Sequence, residues 1–417
     1  MIEQKGKVVV AMGTQPGAAE RRSWRTWAAP FLGLLLLPIA TASTANAAVA
    51  AKGDWAKFQF DLGNSGFNRF ESTTNAGNVG HLKQAWSVQT DTANPAQAGD
   101  VVYQGARAID AATGNVLWDR SSIFGFSVVD AVSGGAVYLA QESGGLVALD
   151  AVSGHVRWEA NGPGTLLASP TVVGGLVYGM DSNGIVSAYP TACSTPCDPV
   201  WTIDLGNDQE SLAYADGTIY AVSNGAVKNT GTLYALDATT GHVVWSTTQV
   251  GLADTAPVVV RGIVYAGEGR LSTGYSIAAY PASCSTPCQA ILRIPVTGAI
   301  GSFAVAHGSI YATVGGTSLY AFDATSGATL WHGSIGTQGG SPGYPAVANG
   351  VVYKTGNDGH LYAFDAASGE NLLALDIQHC GTSCGGSFYA TPAISQGSVY
   401  VRGGDGVLHA LRLSSAR

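Results

Sequence analysis

The stretch "LYALDATTGHVVW", Leu233 to Trp245, sets an apolar run against Asp-Ala-Thr-Thr-Gly and a second apolar run that ends in tryptophan. Near copies recur along the chain: "DAATGNVLW" ends at Trp118, "DAVSGHVRW" at Trp158 and "DATSGATLW" at Trp331. "PTACSTPCDPVW" reaches Trp201 with Cys197 in the glycine place. The same step leads from Cys288 to Leu292 and from Gly369 to Leu373, so two copies have lost the tryptophan and kept the frame. Self-similarity at a fixed period marks an architecture of repeated units.

Upstream of each copy lies a short apolar run ending in tyrosine: Tyr103, Tyr138, Tyr178, Tyr220, Tyr265, Tyr311, Tyr353 and Tyr400, spaced by 35 to 47 residues. Between tyrosine and tryptophan stand hairpin signals such as "DSNG", "NDG" and "GDG". Each unit therefore reads as four antiparallel strands, A to D, and a period of about 40–45 residues with four strands per unit is that of a propeller blade. The last unit, "ISQGSVYVRGGDGVLHALR", stops after strand C, while an orphan strand D, "LKQAWSV" around Trp86, lies near the other end of the chain. Pairing the two closes the ring and leaves no open edge between first and last blades. The sequence thus predicts an all-β fold, an eight-bladed β-propeller of four-stranded antiparallel blades closed by the N-terminal strand.

The composition, 46% hydrophobic and 12% charged, suits a large core with little charged surface. Arg21, Arg22 and Arg25 precede the apolar run "AAPFLGLLLLPIA" and the small-residue stretch "TASTANAAVA", the three regions of a secretory signal. Residues 1–47 are expected to be that signal, cleaved after Ala47, and 48–417 a single propeller domain outside the cytoplasm, secreted or periplasmic. Retention as a membrane anchor is the alternative, but the run is shorter than the ~20 apolar residues of a spanning helix. "ERRSWRT" resembles part of a twin-arginine signal, with Trp24 in place of the usual phenylalanine. Signal removal takes the formal charge from -8 to about -11, because five basic and two acidic residues leave with it. A chain this acidic is not expected to bind nucleic acid or an anionic membrane surface.

Over Lys52 to Arg417 the chain resembles the pyrroloquinoline quinone (PQQ)-like repeat family of eight-bladed propellers. "ALDATTGHVVW" is similar to the family's tryptophan-docking repeat, and "DWAKFQFDLGNSGFNRF" to the segment that leads into its first strand. The resemblance implies the fold more than the chemistry, because the family holds both quinoprotein dehydrogenases and cofactor-free scaffolds such as the outer-membrane assembly lipoprotein BamB. No cysteine precedes Cys193, so the lipid-bearing cysteine of a BamB-like lipoprotein is not expected. In such repeats the tryptophan, here Trp86, Trp118, Trp158, Trp201, Trp245 or Trp331, fills the gap between blades, and the turn glycine accepts a backbone angle other residues resist. Asp110, Asp150, Asp237, Asp323 and Asp365 repeat with the turn and read as turn residues rather than catalytic carboxylates, and His155 and His242 as exposed turn residues.

All six cysteines fall in Cys-x-x-x-Cys pairs: Cys193 with Cys197, Cys284 with Cys288, and Cys380 with Cys384. An even count in an exported chain reads as disulfides. "CSTPC" occurs twice, where other units place Asp-Ala-Thr-Thr-Gly, and so small a loop is worth only about 2 kcal/mol on the chain-entropy model. The spacing matches no zinc ribbon or haem attachment; His379 beside Cys380 is the one hint of metal.

The B–C turns and D–A loops of a four-strand meander share one face, and inserts at "NGAVKNTG" and "GEGRLSTG" lengthen that face in the fourth and fifth units. Asn224, Lys228, Glu268 and Arg270 are the candidate partner-binding residues there. Quinoprotein dehydrogenases clamp PQQ between a tryptophan floor and a disulfide of adjacent cysteines and hold calcium with carboxylates and amides. Here no two cysteines are adjacent and, beyond the signal and Trp55 of the lead-in, every tryptophan occupies a docking place. Asp181, Asn183, Asn357, Asp358 and Asp405 are turn residues by their Asn/Asp-Gly context. The expected function is a monomeric, non-enzymatic binding module for a protein, peptide or glycan, with no catalytic residue, metal or cofactor. The alternative is a dehydrogenase that uses PQQ and calcium to oxidise an alcohol or sugar.

Overall fold

In Gly231–Asp237, Leu233 and Ala235 are buried while Thr232 and Tyr234 are half-buried, the period-two pattern of a strand with one face held more tightly than the other. The structure, a computed structural model, describes residues 51–414 except 91–92, 125–126, 142–144, 161–167, 207–210, 225–230, 251–254, 271–273, 337–342 and 378–390. Runs like this one assemble into eight antiparallel sheets in the order A-B-C-D. The A strands of successive blades approach one another around the ring, so A is innermost and D outermost. The described helical structure is one turn at Ser121–Phe124 and a 3-10 turn at Val79–His81.

The ring closes as the sequence predicts. Leu82–Gln89 pairs antiparallel with Val407–Leu413, the third strand of blade 8, with Trp86 opposite Ala410. Every docking position sits opposite an alanine of strand C: Trp118 opposite Ala108, Trp245 opposite Ala235, Trp331 opposite Ala321. Leu292 opposite Ala279 and Leu373 opposite Ala363 occupy the same register, which confirms that the two tryptophan-less copies keep the frame.

The tryptophan locks each blade to the next through one acceptor. The Trp118 indole N–H donates to the Ala151 carbonyl at 3.0 Å, and the Tyr103 hydroxyl of the same blade reaches that oxygen at 3.2 Å. The pairs Trp201 with Tyr178 on Ala238, Trp245 with Tyr220 on Ala282, and Trp331 with Tyr311 on Ala366 repeat the arrangement. The turn glycine lies beneath the indole of the preceding blade: a Cβ on Gly241, whose φ is +74°, would stand 2.6 Å from a Trp201 ring carbon. The aspartates work as turn residues. Asp237 Oδ1 accepts from the Thr239 and Thr240 N–H groups and the Thr240 hydroxyl, and Asp110, Asp150, Asp323 and Asp365 do the same for their turns.

Cys193–Cys197 and Cys284–Cys288 are disulfides; Cys380 and Cys384 lie outside the described residues. The two bridged turns also reach onto the preceding blade. Cys197 N–H donates to the Glu159 carbonyl at 2.8 Å and Glu159 N–H to the Thr195 hydroxyl, and Cys288 and Thr286 hold Ser246 in the same way. Each turn thus caps part of an outer strand edge that would otherwise be open.

A lead-in segment, Asp54–Thr74, circles the ring axis. In each A–B hairpin the middle residue of A points its N–H away from B, toward the axis. These groups donate in turn to lead-in carbonyls: Gln97 to Trp55, Val132 to Ala56, Tyr214 to Leu62, Val259 to Gly63, Val305 to Ser65 and Val347 to Gly66, all at 2.7–2.8 Å. Asn68 then donates to Ile394 of blade 8, and Phe67–Asn68 adds a short parallel strand to blade 7. Gln59 and Asn64 of this segment are fully buried.

Candidate functional site

A cleft of about 970 Å³ opens between blades 5, 6 and 7, on the face of the A–B and C–D turns. Its position follows from the repeat. Elsewhere a tryptophan of strand D fills the space against the next blade's C–D turn; in blade 5 that place belongs to Leu292. Leu292 and Ile294 face that turn, lying 3.5 and 3.0 Å from where a Cβ on Gly327 would be. Blade 7 has also lost its tryptophan, but there Val79 and Leu82 pack against Leu372 and Leu373. The cleft thus opens beside an interface whose docking position holds a leucine in place of a tryptophan.

Tyr265 and Leu292 form its inner wall, and the turns carrying Arg261, His307 and Thr325 form its rim, with the lead-in residues Asp61, Phe67, Arg69 and Glu71 along one side. Tyr265 is the strand-B tyrosine of blade 5, and burial raises its hydroxyl pKa. The carboxylates of the cleft are engaged by the protein. Asp61 accepts from Ser65 N–H at 2.9 Å and its hydroxyl at 2.6 Å; Glu71 accepts from Thr73, Thr74 and Gly397 N–H groups. The basic side chains have no such partner among the described residues. Arg261 and His307 are exposed at A–B turns with positive φ, His307 resting its ring on Phe67 at 4.5 Å. Arg69 lies over the Phe70 ring. A protein of net negative charge thus presents two exposed arginines, Arg69 and Arg261, at a partly apolar cleft.

The residues singled out from the sequence lie on the opposite face and are only partly described. Lys228 is outside the described residues; Asn224 and Arg270 end strands opposite Gly231 and Gly274, and their side chains are outside them too. The inserts in part lengthen hairpins: the B strands of blades 4 and 5 run Thr218–Asn224 and Ile263–Arg270. Glu268 lies within the second strand rather than at its tip. Its carboxylate accepts from Arg293 Nε and the Ser276 hydroxyl, both at 3.0 Å, and from the Tyr280 hydroxyl, so it ties strands B, C and D of one blade together. Desolvation and this carboxylate push the Tyr280 pKa up. Arg261, Arg69 and Tyr265 were not singled out from the sequence, although the Leu292 irregularity marks their neighbourhood.

Among the described residues, the groups near the axis do not make up a site for PQQ with calcium. Among the described residues no three carboxylate, histidine or cysteine side chains converge. The buried charged groups near the axis include lysines: Lys57 Nζ bonds the Asn64 side-chain oxygen at 2.6 Å, and Lys354 Nζ bonds the carbonyls of Gly343 and Thr355. Calcium demands several anionic or carbonyl oxygens free to face it. The six docking indoles each donate to a neighbouring blade, so none is free to floor a quinone. Asp181, Asp358 and Asp405 accept N–H groups of their own turns, while the second carboxylate oxygen of Asp181 is buried with no described partner.

A family model described as outer membrane protein assembly factor BamB matches residues 102–192, 198–281 and 315–417. No curated protein matches the chain in sequence. Among solved structures, BamB from Moraxella catarrhalis is 18% identical with a TM-score of 0.61, covering 79% of this chain and 99% of that one. A quinohemoprotein alcohol dehydrogenase from Comamonas testosteroni is 17% identical with a TM-score of 0.64, over 88% of this chain and 82% of the other. A europium-containing methanol dehydrogenase is 13% identical with a TM-score of 0.66, over 87% and 98%. At these identities the structural likenesses speak for the fold alone, whereas the family model covers most of the repeats: the chain belongs to the BamB-like family of PQQ-like repeat propellers.

Proposed function

We propose that this protein is an extracytoplasmic, non-enzymatic binding module that holds a protein or peptide partner and uses no cofactor. What supports the reading is the winding of the lead-in around the ring axis, held by backbone hydrogen bonds to six A strands and by its fully buried Gln59 and Asn64 side chains. The cleft between blades 5, 6 and 7 is a concave, partly apolar surface suited to recognition. The two disulfides fit an oxidising compartment. Among the described residues no helix is long and apolar enough to cross a membrane.

Residues 1–47 act in this reading as a cleaved export signal, and Edman sequencing of the exported protein is expected to start at Ala48. The functional test is titration calorimetry of the mature protein with PQQ and calcium, followed by dye-linked alcohol oxidation. The expected result is no saturable heat and no turnover; saturable binding with dye reduction would replace the module by a dehydrogenase.

A further inference from the structure

The other blade interfaces show what chemistry suits the open one. At four of them an indole N–H and a tyrosine hydroxyl of one blade converge on a single carbonyl of the next, at Ala151, Ala238, Ala282 and Ala366. The corresponding carbonyl at the blade 5–6 interface is that of Ala324, which follows the turn aspartate Asp323 as Ala366 follows Asp365. Ala324 N–H donates to Gly308, but no described donor reaches its oxygen, and the Tyr265 hydroxyl, which would share it, bonds no described group. Both line the cleft, beside the exposed side chain of Ile291 and the alanine surface of Ala279 that an indole covers elsewhere.

We infer that this cleft receives a tryptophan side chain from a partner protein, seated where the blade's own docking tryptophan is missing and donating its indole N–H to the Ala324 carbonyl. The segment carrying it is acidic. Arg261 and Arg69 stand at the entrance with no carboxylate partner among the described residues, while Asp61 and Glu71 are turned to backbone N–H groups. Two exposed guanidinium groups at the rim select for carboxylates beside the anchor. An aromatic anchor in a desolvated pocket with a charged rim is the usual make-up of a peptide-binding hot spot. The inference rests on the binding-module reading and names the partner chemistry for its cleft.

The test uses the mature protein and a fluorescein-labelled short peptide with a central tryptophan between aspartates, beside the same peptide with alanine at the centre. Fluorescence anisotropy is expected to show saturable binding of the tryptophan peptide, at least tenfold weaker binding of the alanine peptide, and salt sensitivity that Arg261→Glu reduces. Leu292→Trp, which supplies the missing indole in cis, is expected to weaken the peptide at least tenfold. Equal binding by Leu292→Trp or by the alanine peptide, or no binding at all, would overturn the inference. Should Leu292→Trp not fold, methyl spectra of isoleucine-labelled wild type decide: shifts at Ile291 and Ile294 support the site, and shifts confined to other isoleucines contradict it. Turnover with PQQ would sink the module reading instead, whatever the peptide does, so the two failures are distinguishable.

Discussion

Trp331 illustrates how little of the repeat is decoration. Its ring covers Ala321 across the strand pair, lies against Tyr311 at 5.8 Å, and bonds the next blade through the Ala366 carbonyl. Truncating it to alanine removes a large buried ring and leaves that carbonyl without its indole donor. Trp331→Ala should therefore lower the unfolding free energy by about 3–5 kcal/mol, read from urea midpoints. Gly241 is constrained from two sides, by a left-handed backbone and by the Trp201 ring 2.6 Å from any added Cβ. Gly241→Ala should destabilise by at least ~1–2 kcal/mol from the backbone alone, whereas the same change at Gly217, with nothing near its Cβ, carries the backbone strain only. The recurrence of Asp-x-x-x-Gly and tryptophan was legible because both effects act within one turn and its neighbour. Tyr265 was read only as a strand marker, since the loss of its acceptor's other donor appears only when blade 6 is placed beside blade 5.

The lead-in and the "CSTPC" turns are elements whose stability comes from other parts of the chain. Asn64, at a φ of +58° and fully buried, donates to the Leu212 and Pro257 carbonyls and accepts from Lys57 Nζ. Asn64→Ala strands two carbonyls in the interior and takes one of three acceptors from the Lys57 ammonium, for an expected loss of about 2–3 kcal/mol. Burial lowers the Lys57 pKa to about 8, against a smaller opposing pull from Asp61. The folded state therefore binds fewer protons than the unfolded one between pH 8 and the ordinary lysine value, and stability should rise with pH across that window. Lys57→Met should reduce the rise in thermal melts, leaving the share that the buried Lys354 contributes with the same sign. The ordinary tyrosine value closes the window from above, because burial raises the pKa of Tyr103, Tyr178 and Tyr311 and that stability is lost as the unfolded chain ionises. None of this was readable in "DWAKFQFDLGNSGFNRF", which has no strand or helix period; its conformation is set by main-chain bonds to strands hundreds of residues away. The inserts of blades 4 and 5 were legible in length but not in form, since in part they continue hairpins instead of projecting as loops.

At the scale of the ring, each blade can bury its outer strand only against the next, so stability is a property of eight interfaces in series. Closure by Leu82–Gln89 on Val407–Leu413 was legible from the one orphan strand and the one unit lacking a fourth strand. Where the ring would be weakest was half legible: Leu292 and Leu373 both break the pattern, but the chain supplies Val79 and Leu82 at one site and leaves the other open as the cleft. If that cleft is the space of a missing docking residue, Leu292→Trp should fill it without disturbing the frame. The larger buried ring and its bond to Ala324 should together add about 1–2 kcal/mol, and the melting temperature should rise by a few degrees, on the order of 1–4 °C per kcal/mol for a domain of this size or somewhat smaller. Differential scanning calorimetry of Leu292→Trp beside the wild type is the most direct measurement of this point. A higher melting temperature in a single transition is the expected outcome; an unchanged or lower one would show that the cleft is not a docking place left open.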